Sequence, residues 1–198
     1  MQHLFTTYYP SFISTLFNLS SWQRKMLVTT CSVLILAIAS NISIPTYPVP
    51  FTLQSLVVLL IGAFLGRRLA TLALLQYLLM GALGLPIFAN GSGGIAALLS
   101  PSSGYLYGFV VSAYLAGLAT EKGYDRKFIL GLIAFACAHQ MTFVFGVTYL
   151  AGYLHINLLE AIKLGYLPFA GFDLLKFTLA TCVMYMLWRH HAKKQCSQ

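Results

Sequence analysis

Charge is what this sequence has least of. Of its 198 residues, 8% are Asp, Glu, Lys or Arg, against about 25% in an ordinary soluble domain. A water-facing surface cannot be covered with so few charges, so a soluble globular fold is excluded. Acids are scarcest of all, with 4 set against 12 lysines and arginines. The four cysteines, Cys31, Cys137, Cys182 and Cys196, have neither metal-site nor disulfide-framework spacing. Three lie inside apolar blocks, where cysteine acts as a small core residue. No glycine-rich loop ends in Lys-Ser or Lys-Thr, so the chain cannot hydrolyse ATP through a P-loop. A nucleophile–base pair is also missing, which leaves a hydrolytic enzyme site without support.

Long apolar blocks are what the sequence does have. Hydrophobic residues make up 59% of it, and the mean hydropathy is +0.79. About 20 apolar residues cross a bilayer core, so the length allows six spans with short loops. The expected helices are 26–44, 51–65, 69–83, 105–119, 128–150 and 169–188. Pro45, Pro48 and Pro50 end the first, since proline lacks the amide donor. Ile95 to Leu99 predict a short helical turn inside the long loop Gly84–Gly104. The expected class is therefore an all-α polytopic membrane protein of six transmembrane helices. It divides into an interfacial N-terminal segment (1–25), one transmembrane domain (26–190) and a tail (191–198). Arg24-Lys25 followed by an apolar run to Ala39 mimics a signal peptide. The run continues past Ala39, so it reads as a retained span. Tyr8, Tyr9, Phe12 and Phe17 suggest a short amphipathic helix ahead of it.

The net charge of +8 is not a nucleic-acid footprint, because the bases cluster between apolar blocks. With the N-terminus inside and six alternating spans, Arg24-Lys25, Arg67-Arg68, Lys122, Arg126-Lys127, Arg189 and Lys193-Lys194 all fall on the cytoplasmic side. Only Lys163 and Lys176 fall outside. Orientation follows this Lys/Arg bias, so both termini are expected in the cytoplasm of a multi-pass plasma-membrane protein.

Two ionisable residues stand inside an apolar block. Asp173 and Lys176 sit on one face of the last helix, three residues apart. A charge at helix-centre depth costs about 2.5–3.5 kcal/mol on insertion scales and marks a functional site by default. The bland reading is a structural ion pair, or a lysine that snorkels outward. Two other outer segments supply polar groups. The loop Gly84–Gly94 carries Asn90, which both donates and accepts. The stiff turn Pro45–Phe51 leads to Thr52 and Gln54. Phe88, Tyr105 and Tyr107 are candidate aromatic walls. Together these fit an apolar pocket with a few polar anchors. Glu121 and Asp125 read as solvated loop charges, and Glu160 with Lys163 as a weak surface pair. His139 reads as a helix-packing hydrogen bonder ahead of a proton relay or pocket residue.

At these same segments the sequence resembles the BioY family. The matching runs are Asn41-Ile-Ser-Ile-Pro45, Pro48-Val-Pro-Phe-Thr-Leu-Gln54, Leu59-Leu-Ile-Gly-Ala-Phe-Leu-Gly66, Gly81-Ala-Leu-Gly-Leu-Pro-Ile-Phe88, Gly93-Gly94, Pro101-Ser-Ser-Gly-Tyr-Leu-Tyr-Gly-Phe109 and Asp173-Leu-Leu-Lys176. The resemblance implies the S-component fold of energy-coupling factor (ECF) transporters, with biotin as the transported substrate and no cofactor. It implies a transmembrane coupling subunit and a pair of ATP-binding cassette ATPases as partners, and leaves homo-oligomerisation open. By similarity Asn90, Asp173 and Lys176 match polar pocket positions. Leu34 departs from the alanine-rich docking face that family members carry on helix 1. An S component for thiamine or riboflavin, or an intramembrane enzyme, is the alternative.

Overall fold

The structure is a computed structural model that describes residues 11–16 and 20–196, with the side chains of 194–196 excepted. Tyr8, Tyr9 and Phe17 lie outside the described residues, as does the side chain of Lys194. The helices are α1 (Phe12–Leu16), α2 (Trp22–Asn41), α3 (Gln54–Ala82), α4 (Ile95–Leu98), α5 (Ser103–Glu121), α6 (Phe128–Leu154), α7 (Leu158–Gly165) and α8 (Ala170–Cys196). Two short strands, β1 (Ser43–Ile44) and β2 (Phe51–Thr52), pair antiparallel with Ser43 opposite Thr52. Four helices are long and apolar enough to cross a membrane by length and composition: α2, α3, α6 and 170–193 of α8. Exposed leucines and isoleucines such as Ile38 (66%) and Ile129 (70%) suit lipid contact, whereas in water such a surface would drive association.

The helix α3 is a hairpin. Gly66 breaks it with φ 77° and ψ 168°, a conformation open to glycine and closed to side-chain-bearing residues. The reversal follows from one contact: the Gln54 amide donates to the Tyr77 hydroxyl, 23 residues on. In a straight helix those residues would stand about 35 Å apart. The halves 54–65 and 67–82 therefore run back along each other, and with α2, α5, α6 and α8 they make six helical segments. The expected break at Gly66-Arg67-Arg68 lies at this reversal. The expected ends differ elsewhere: α2 runs from Trp22 to Asn41, with Ser43–Ile44 in β1 and not in the helix, and α8 continues to Cys196.

Small residues let these helices close on one another, the main packing device in lipid. A Cβ on Gly117 of α5 would lie 2.3 Å from the Arg67 amide nitrogen, and one on Gly108 would lie 2.8 Å from the Thr142 Cα of α6. The core has three clusters. Tyr77, Leu74 and Leu36 centre one between α2, α3 and α5. Phe135, Phe177 and Met184 centre the second, between α6 and α8. Val49, Tyr105, Phe143, Leu150 and Phe169 form the third, at the end that carries the β1–β2 turn.

The opposite end holds two buried acids, and this corrects the expectation of solvated loop charges. Glu121 is 5% exposed and Asp125 is fully buried. Glu121 accepts from the Arg67 amide at 3.1 Å and pairs with the Arg67 guanidinium at 3.0 Å. It thus satisfies an otherwise orphaned donor where the second half of α3 begins. Asp125, in the 3-10 turn Tyr124–Arg126, accepts from the Trp188 indole at 2.6 Å. Arg126 lies over that indole at 4.0 Å. Phe12 of α1 packs edge-on against Trp188 at 5.2 Å and Phe64 at 5.7 Å, so this part of the N-terminal segment is tucked into the bundle. Burial pushes the Asp125 carboxyl up to about 6, opposed by the Trp188 hydrogen bond and the Arg126 charge. The expected Glu160–Lys163 pair does not form; Asn157 instead caps α7 by accepting from the Glu160 amide at 2.8 Å.

Two outcomes follow. Gly66→Ala would force a Cβ to 2.9 Å from a Glu121 oxygen at positive φ, and should cost about 1–3 kcal/mol, read as a lower thermal unfolding midpoint in detergent. An unchanged midpoint would mean that the hairpin does not need this glycine. Because the native Asp125 carboxyl holds its proton more tightly than the unfolded one, its contribution to stability falls as pH rises from about 4 through about 6. Asp125→Asn should therefore raise the unfolding midpoint at pH ~8 and leave it nearly unchanged at pH ~4. A loss at pH ~8 would show that the carboxylate is needed in its charged form.

Candidate functional site

A cavity of about 280 Å³ opens at the end that carries the β1–β2 turn. Its lining comes from segments far apart in sequence: 48–55, 88–92, 97–109, 142–143 and 169–176. Asp173, Lys176, Asn90, Gln54, Thr52, Phe88 and Tyr105 all line it. Tyr107 does not. Two residues along a helix turn about 200°, so Tyr107 faces away from Tyr105, is 38% exposed and donates to the Leu98 carbonyl at 2.7 Å.

The polar floor is built on α8. Asp173 is 1% exposed and Lys176 7%. The Lys176 ammonium stands 3.1 Å from Asp173 Oδ1, donates to Ser55 Oγ at 2.9 Å and lies 4.1 Å from the centre of the Phe51 ring. From behind, the fully buried His139 of α6 brings Nε2 to 3.1 Å from the same Oδ1. Two nitrogens thus crowd one carboxylate oxygen. Neither oxygen makes a hydrogen bond among the described residues, and the other, Oδ2, has no ion-pair partner either. A buried acceptor left unsatisfied costs about 1–3 kcal/mol or more, so this atom is chemically primed for a donor.

The walls are aromatic. Phe51 stacks on Phe169 with centroids 5.8 Å apart and planes 8° from parallel. Phe143 meets Tyr105 edge-on at 5.9 Å. The Tyr105 hydroxyl is turned away from the cavity, to the Gly165 carbonyl at 2.8 Å, so Tyr105 offers the cavity its ring.

The glycine-rich loop is fastened at its base. Phe88 is buried against Gly81, where a Cβ would lie 2.0 Å from its ring. The Ile87 carbonyl accepts from Tyr77 at 2.7 Å and from Ser40 at 2.8 Å. The Gly94 amide donates to the Gly81 carbonyl at 2.7 Å. Beyond Phe88, Asn90 adopts φ 58° in a 3-10 turn at the cavity rim, a conformation asparagine tolerates better than most residues. Its side-chain oxygen accepts from Ser43 at 3.1 Å. Gln54, 3% exposed, is held by Tyr77.

Sequence reasoning did not single out Ser55, Phe51 or Phe169. Ser55 carried a signal, as a polar residue beside Gln54 in an apolar helix. His139 was read as a packing residue; the structure shows that what it packs against is the site carboxylate. Nothing local in the sequence pairs residues 139 and 173.

The BioY family model matches residues 13–193. A biotin transporter BioY of Thermotoga maritima is 37% identical over 165 residues, covering 83% of this chain and 96% of its own. A probable biotin transporter BioY of Pyrococcus horikoshii is 36% identical, covering 81% and 93%. The crystal structure of the S-component for biotin from an ECF-type ABC transporter shares the fold, with a TM-score of 0.76 at 23% identity, over 87% of this chain and 95% of that one. With a family model spanning nearly the whole chain, and relatives alike along almost their full length, this multi-pass membrane protein belongs to the BioY family.

Proposed function

We propose that this chain is the biotin-binding subunit of a vitamin uptake system. It captures biotin at the cavity end of the bundle, taken as the outer side, and passes it towards the basic end, taken as the cytoplasm. Family membership and the names of the relatives support the substrate. The observation that carries the binding role is the Asp173–Lys176 couple under an apolar cavity.

Energetics argue against a purely structural couple. At 3.1 Å the Coulomb attraction is about 5 kcal/mol at an effective dielectric of ~20. Desolvation costs several kcal/mol per ion, so the pair gains little for the fold. As a ligand site it makes sense. Asp173 Oδ2 would accept from a ureido N–H, Lys176 would donate to a biotin oxygen, and Asn90 with Gln54 and Thr52 would serve the polar rim. The rings of Phe51, Phe88 and Tyr105 would cover the apolar parts of the ligand. Since the sequence holds no P-loop, the drive would come from a transmembrane coupling subunit and paired ATP-binding cassette ATPases, as in ECF modules. Both termini would then lie in the cytoplasm of a plasma-membrane protein.

Binding of radiolabelled biotin to the purified chain, with thiamine and riboflavin as competitors, tests the reading. Saturable binding displaced by biotin alone is expected. Displacement by another vitamin would reassign the substrate. Asp173→Ala should weaken biotin by about ten- to a hundredfold, the loss of a hydrogen bond to a charged group. The double variant Asp173→Leu/Lys176→Met separates binding from stability. Replacing both buried charges should leave the unfolding midpoint equal or higher while biotin binding is lost. Tight binding by that variant would sink the site assignment.

A further inference from the structure

The cavity has a charge balance that an anionic ligand must upset. Asp173 and Lys176 are the only formally charged side chains in its lining among the described residues, and they cancel. The rest of its polar lining is neutral: asparagine, glutamine, serines, threonines and Tyr105. The remaining buried acids, Glu121 and Asp125, belong to the opposite end of the bundle. A carboxylate entering here would leave one uncompensated negative charge within the protein, which is strongly disfavoured at membrane depth.

One group is placed to restore neutrality. His139 is fully buried directly behind Asp173, with Nε2 3.1 Å from Oδ1. Its ring is bracketed by Phe143 at 5.5 Å and Phe177 at 6.2 Å, which bring no charge. From α8 it faces Asp173, with Lys176 on the far side of the shared oxygen. On α3, Ser55 is engaged by Lys176 and Gln54 by Tyr77. From α5 comes Tyr105, whose hydroxyl is engaged by Gly165. Neither ring nitrogen has a hydrogen-bond partner among the described residues, and the one that faces Asp173 is Nε2.

We propose that the site takes up one proton when it binds a monoanionic ligand, and that His139 holds it. The inference rests on the biotin reading above, since biotin carries one carboxylate. The proton comes from solvent through the cavity and by way of Asp173, and it adds to Nε2, the nitrogen that faces the carboxylate. The imidazolium then donates Nε2–H to Asp173 Oδ1, and Lys176 is released to turn its charge on the ligand. No covalent bond other than N–H is made, and net charge is zero before and after. His139 is thus a positioning residue that sets the charge state of the site without touching the ligand.

Titration calorimetry of the purified chain at pH ~8, where a free imidazole is neutral, in two buffers of different ionisation enthalpy, measures the proton directly. Biotin should bind with uptake of about one proton, and its uncharged methyl ester with uptake near zero. His139→Gln should bind biotin with uptake near zero and about tenfold weaker. Biotin affinity should rise on acidification, while the affinity for the ester should not. Biotin binding without proton uptake overturns the inference alone. Undiminished uptake in His139→Gln overturns the role of His139 and points to Asp173. If that variant does not fold, the biotin and ester comparison on the unmodified chain decides. Absence of any saturable biotin binding would instead remove the functional reading itself.

Discussion

A carboxylate oxygen shared between an ammonium and an imidazole, deep in an apolar bundle, sets the terms for the rest of this protein. Asp173 Oδ1 lies 3.1 Å from both Lys176 Nζ and His139 Nε2. Ions in such a place are costly, and the surrounding structure is arranged to hold them still. Ser55 and the Phe51 ring take the lysine from the α3 side. The packing of α6 against α8 brings the histidine, and the stacked Phe51–Phe169 pair covers the approach. With these contacts made, one oxygen of the carboxylate remains for a guest.

The hairpin of α3 is what brings the pieces within reach. By reversing at Gly66 it returns Tyr77 to Gln54, and from Tyr77 a hydrogen bond runs on to the Ile87 carbonyl. The loop that carries Phe88 and Asn90 is therefore anchored to the same helix pair that carries Ser55 and Gln54. At the far end of the hairpin, Glu121 caps the second helix and Phe12 closes over Phe64 and Trp188. The helix α8 connects the two ends: Asp173 and Trp188 lie about 22 Å apart along one rod. A change in how the site holds Asp173 and the clamp on Asp125 thus share one rigid element.

Much of the fold was legible in the sequence because its signals are local. Apolar runs, the three prolines after Ile44 and the basic clusters mark helices and their ends without reference to distant residues. The broken α3 was legible at Gly66 for the same reason. Glu121 and Asp125 were misread because a short polar stretch between two apolar runs looks solvated. Their burial depends on Arg67 and Trp188, which are 54 and 63 residues away. Tyr107 was misplaced for a simpler reason: Tyr105 and Tyr107 are adjacent in composition but lie on opposite faces of α5.

By itself the sequence determined that this chain lives in a membrane, which stretches of it are long helices, and that Asp173 and Lys176 share a helical face. Each of these follows from hydropathy and from spacing along a single helix. Tertiary structure alone decided that His139 meets Asp173 and that, among the described residues, Oδ2 is the oxygen with no ion-pair contact. It also decided that Tyr105 lends its ring while its hydroxyl serves Gly165. Those outcomes depend on which helices touch and at what register, and in an all-apolar bundle packing of glycines and alanines sets that register through contacts no local pattern records.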